Sequence, residues 1–132
     1  MIELNSFSWA LFFRALAFVE SGGDPAAYNK QELAIGLYQI RPIYVQDVNR
    51  ILKTNYSHAD ARNQRLAQIM IQTYMDHYGK KAHLKVTNTE QFIEVAVGYS
   101  RLHSGGPDGC KELCTVPYAL KFEQALRILL EK

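Results

Sequence analysis

The chain has 132 residues, 48% of them hydrophobic, and its 15 basic and 13 acidic side chains leave a formal net charge of +2. That length holds one real core and is too short for two ordinary domains, so a single domain over residues 1–132 is expected. No basic run of the kind found in nucleic-acid tails is present, which argues against nucleic acid as a partner, and so small a charge steers an anionic wall polymer only weakly.

Apolar residues recur at helical spacing over 7–20, 43–52, 59–78, 90–103 and 118–130, which predicts five helices. The first run is apolar enough to suggest a signal peptide. It lacks a basic leader, however, carries Arg14 in its middle and offers no small-residue cleavage site. It is also too short to span a bilayer, so it reads as a core helix with Trp9 inside. On this reading no stable membrane insertion is expected, and the protein resides in the cytoplasm before release or export.

Glu20 closes that helix and is followed by Ser21-Gly22-Gly23-Asp24-Pro25, a stop signal. A carboxylate at the negative pole of a helix, preceded by Leu16, Ala17, Phe18 and Val19, is pushed toward its protonated form. A carboxylic acid held protonated near neutral pH beside an apolar wall is what general-acid cleavage of a glycosidic bond requires.

Residues 26–40 break the pattern. A polar stretch, Tyr28 to Glu32, precedes a short apolar one around Gly36, which predicts a loop or small hairpin. Further on, Pro42 suits a first helical turn, Ser57 with Asp60 resembles a capping box, Gly79 ends the third helix, and Thr89 and Pro117 suit the starts of the last two. Cys110 and Cys114 match no familiar ligand spacing and read as free thiols, so no metal or other cofactor is assigned.

Three glycine-containing segments interrupt the helices, and each has sugar-compatible side chains beside it: Asn29, Tyr38, Gln39, Tyr99, His103 and Ser104. Their order is more specific than any one alone. Glu20-Ser21-Gly22-Gly23, then Gly36-Leu37-Tyr38-Gln39, then Gly98-Tyr99-Ser100-Arg101-Leu102-His103-Ser104-Gly105-Gly106, then Val116-Pro117-Tyr118 resembles the soluble lytic transglycosylase and lysozyme-like superfamily. The resemblance implies a mostly α, lysozyme-like domain of about five main helices, with a loop or β-hairpin after the catalytic helix.

It further implies that Glu20 is both acid and base in cleaving the β-1,4 bond between N-acetylmuramic acid and N-acetylglucosamine. Peptidoglycan glycan strands would be the partner, and the protein a monomer. By the same resemblance Gln39 contacts sugar, Tyr118 orients Glu20, and Ser21, Tyr38, Tyr99, His103 and Ser104 complete the substrate-binding set. A transglycosylase outcome is the leading expectation, with a hydrolytic muramidase as the alternative. A non-catalytic binding module and a chitin-cleaving enzyme are the competing readings.

Two departures bear on the reaction. Ser104 stands where the family has asparagine, which shortens the reach of the polar group, while His103 reads equally well as a residue bonded to a carbonyl or as a cleft residue. Ala34 occupies the position where animal lysozymes carry a second acid, and the candidates for that role, Asp24, Glu32 and Asp47, fit poorly. Asp24, beside Pro25, has the marks of a turn residue.

Overall fold

The computed structural model describes residues 1–131. Five α-helices carry the fold: α1 Trp9–Ser21, α2 Pro42–Leu52, α3 Gln64–Tyr78, α4 Thr89–Gly105 and α5 Val116–Leu130. Between α1 and α2 lies one antiparallel hairpin of β1 Tyr28–Asn29 and β2 Ala34–Ile35, with Tyr28 opposite Ile35. The architecture is the expected mostly helical, lysozyme-like one. No helix among the described residues is long and apolar enough to cross a membrane.

Phe12 on α1, Phe92 on α4 and Phe122 on α5 are fully buried and join the three helices that pack most closely. Each such side chain contributes on the order of 3–5 kcal/mol by the cost of its truncation. Trp9 is only partly buried, stacked on Phe13 at the rim of that core.

The run 59–78 does not form one helix. A 3-10 turn, His58–Arg62, comes first, and α3 begins after Asn63, which adopts extended backbone and accepts from the Leu66 amide. An asparagine oxygen is a better helix start than continued apolar periodicity is a bridge. Ser57 and Asp60 do form a capping box, but on the 3-10 turn. Asn88, one residue before the expected Thr89, caps α4, and the Thr89 hydroxyl instead accepts from the Leu4 amide.

Candidate active site

The end of α1 fixes Glu20. Gly22 takes the left-handed conformation at φ +65°, and the amides of Gly22 and Gly23 donate to the carbonyls of Phe18 and Ala17. Only glycine reaches this conformation without a Cβ penalty, so the helix stops at Ser21, with Gly22 as its cap. The Glu20 side chain retains 17% exposure, enough to meet a ligand and little enough to need partners.

Residues 36–39 form the opposing wall. Ile35 and Ile40 exchange two backbone hydrogen bonds across this four-residue loop, pinching it shut. Gly36 sits at φ +82°, and a Cβ there would lie 2.8 Å from the Ala61 carbonyl oxygen, so the 3-10 turn behind the loop excludes any larger residue. Two side chains then tie the loop to helix ends. Ser21 Oγ donates to the Leu37 carbonyl at 2.8 Å, and His103 Nε2 lies 2.7 Å from the Tyr38 carbonyl.

That second contact assigns a proton. A carbonyl can only accept, so Nε2 of His103 carries hydrogen, and in the neutral ring Nδ1 accepts from the Tyr44 hydroxyl at 3.1 Å. The same Nε2 is 3.3 Å from Glu20 Oε2. Tyr118, in the first turn of α5, donates its hydroxyl to that oxygen at 2.8 Å. One donor from α5 thus meets a carboxylate oxygen of α1, with the His103 ring of α4 beside it. His103 is 4% exposed: it is a buried residue bonded to a carbonyl, and its ring also lies against the candidate acid.

The phenols here stay protonated. Burial first, then the charge and hydrogen bond of Glu20, hold the Tyr118 hydroxyl well above the usual tyrosine range. Burial, then Tyr74 and Glu20, do the same for Tyr44, while burial and Asp47 push Tyr74 up to about 12. All three therefore remain hydroxyls at any physiological pH.

Several residues expected at the cleft face elsewhere. Tyr99 is buried and its hydroxyl accepts from the His83 amide, because the α4 face that carries it packs on Phe7, Phe12 and His83. The Tyr38 ring packs on Phe13 and its hydroxyl accepts from Gln68, so this residue offers the site its carbonyl and not its ring. Gln39, at φ +52°, turns its amide nitrogen onto the carbonyls of Gly36 and Ala27. Ser21 spends its hydroxyl on the loop, and the Ser104 carbonyl accepts from Arg41 Nη2 at 3.5 Å.

Asp24 caps its own turn through the Ala26 amide, and Glu32 is exposed at the hairpin end, its amide bonded to Asn29. The contacts that join Glu20, His103, Tyr118, Tyr44 and Tyr38 among the described residues bring in no second carboxylate. Cys114 is a free, exposed thiol, whereas the side chain of Cys110 lies outside the described residues. Tyr44 joins this network without any marker in the sequence beyond its place one turn into the helix opened by Pro42.

Residues 12–125, nearly the whole chain, match the Destabilase family. The chain belongs to that family. It is similar in fold to solved lysozymes. The structure of Aeromonas hydrophila PliI in complex with Meretrix lusoria lysozyme matches with a TM-score of 0.67 at 24% identity, covering 89% of both chains. Inhibitor-bound lysozyme from Meretrix lusoria gives 0.67 and 24% over 92% of both chains. Tapes japonica lysozyme gives 0.61 at 21% identity, over 89% of this chain and 86% of that one. No curated protein matches the sequence. The lysozyme-like assignment stands on the family and the fold, but the narrower transglycosylase type read from the segment order does not.

Proposed function

We propose that this Destabilase-family chain is a muramidase, hydrolysing the β-1,4 bond between N-acetylmuramic acid and N-acetylglucosamine in peptidoglycan with Glu20 as its acid. The observation that carries the reading is the hydrogen bond from the Tyr118 hydroxyl to Glu20 Oε2, with His103 Nε2 3.3 Å from the same oxygen. With that oxygen held, Oε1 is the one turned to the substrate. Protonated Glu20 gives its proton to the glycosidic oxygen, the bond breaks toward an oxocarbenium-like state, and the carboxylate left behind takes a proton from the attacking water. Tyr118 holds the carboxyl through both steps and stabilises the charge it acquires between them, while His103 packs beside it. The membership in Destabilase and the likeness to solved lysozymes favour hydrolysis over the transglycosylase outcome.

Product analysis decides between them. Digestion of peptidoglycan sacculi followed by mass spectrometry is expected to give muropeptides with reducing ends. Anhydro ends in their place would restore the transglycosylase reading. Sedimentation of the protein with sacculi and no soluble product would make it a binding module.

A further inference from the structure

Beside the Glu20 network, between the first turns of α2 and the end of α4, runs a groove of about 570 Å³ that includes Arg41, Tyr44, Asp47, Arg50 and Tyr74 in its lining. Glycine and proline backbone at 105–107 closes its far side. Tyr44 belongs both to this groove and to the network, since its hydroxyl meets His103 Nδ1 and the other ring nitrogen meets Glu20. The groove therefore begins one side chain away from the acid.

Its charge is unbalanced. Two guanidinium groups and one carboxylate line it. The carboxylate, Asp47, is already satisfied: Arg50 donates to it from two nitrogens and the Tyr78 hydroxyl donates to its other oxygen. Arg41 makes no ion pair among the described residues, and its one recorded hydrogen bond is the long contact to the Ser104 carbonyl. A half-buried guanidinium keeps several donors in a planar fork that matches a carboxylate. Tyr44 and Tyr74, stacked with ring centroids 4.0 Å apart and each 4% exposed, form a rigid buried wall beside it.

We infer that this groove is the specificity site for a carboxylate borne by the glycan substrate, with Arg41 as its recognition residue. The inference rests on the muramidase reading and deepens it. Peptidoglycan carries such groups, on the lactyl substituent of a peptide-free muramic acid or on the stem peptide, and a polymer of N-acetylglucosamine carries none. Arg41 would thus separate wall glycan from chitin, while the acid at Glu20 treats their glycosidic bonds alike.

The test measures dissociation constants in a Glu20→Gln background, so that binding is read without turnover. The probes are stem-bearing peptidoglycan fragments, amidase-stripped glycan strands with free lactyl carboxylates, and chito-oligosaccharides of the same length. Adding Arg41→Gln is expected to weaken binding of a carboxylate-bearing probe about tenfold more than binding of the chito-oligosaccharide, with Arg41→Lys recovering part of the loss. An excess penalty on stripped strands places the lactyl group in the groove; one confined to stem-bearing fragments places the peptide there. Equal penalties on all three probes, as a merely structural tie to Ser104 would give, overturn the inference. Cleavage of the same probes by protein with Glu20 intact is followed in parallel. Absent cleavage with Arg41-dependent selectivity preserved would sink the muramidase reading and leave the carboxylate site standing.

Discussion

The Tyr118 hydroxyl donates to Glu20 Oε2 at 2.8 Å, joining residues 98 positions apart in the chain and two helices that pack along one another. Because the donor fixes one of the two carboxyl oxygens, it governs how Glu20 is aimed. Tyr118→Phe removes that donor while keeping the ring. The expected result is a fall in kcat of roughly ten- to a hundredfold, with KM and melting temperature little changed, as for one hydrogen bond to an ionisable group. Steady-state kinetics on soluble peptidoglycan fragments checks it.

His103 is both a positioning residue and a structural one. Its replacement by alanine opens a cavity where a 4%-exposed ring stood and leaves the Tyr38 carbonyl and Tyr44 hydroxyl without their donor and acceptor. A stability loss of about 2–4 kcal/mol is expected in urea denaturation. Activity measured well below the new midpoint should fall beyond what unfolding explains, since the ring also touches Glu20.

Alkaline pH should weaken the fold through its buried phenols. Tyr44, Tyr74 and Tyr118 hold their protons above the range of an unfolded tyrosine, Tyr74 to about 12. Below pH ~10 both states are protonated and stability is unaffected. Between that pH and the folded value the native state binds more protons than the unfolded one, so stability declines by about 1.4 kcal/mol per pH unit for each group. Urea midpoints measured from pH 9 to 12 should decline, and Tyr74→Phe should flatten that decline.

Gly36 is expected to tolerate no side chain. Gly36→Ala places a methyl group 2.8 Å from the Ala61 carbonyl and strains a backbone at φ +82°. A cost of roughly 1–3 kcal/mol follows, together with reduced activity, because the loop that Gly36 opens is the one Ser21 and His103 grip. Thermal melts and activity of the purified variant report the two effects separately.

Local chemistry made much of the fold legible in the sequence. Gly22 and Gly79 end helices, Pro42 opens one, and the change of pattern after residue 26 marks the hairpin, because each depends on the backbone preferences of a few adjacent residues. The break at Asn63 was hidden by apolar periodicity that runs straight through it, although the capping oxygen was there to see. At the site, Glu20 could be singled out by its place at a helix end. Which way an aromatic ring points could not, since Tyr38 and Tyr99 turn inward only because the fold brings Phe13 beside the one and Phe7 and His83 beside the other. The contacts of Tyr44 with His103 and of Arg41 with Ser104 depend on α4 ending opposite the start of α2, which no short stretch of sequence encodes.

The most direct test of the account is the rate of muropeptide release from sacculi by the native protein and by Glu20→Gln, with folding of both verified by circular dichroism. The substitution keeps the shape of Glu20 and removes its titratable proton. The account predicts reducing-end products from the native protein and a rate at least about a hundredfold lower from the variant. Equal release by both proteins would contradict it and move the chemistry away from Glu20.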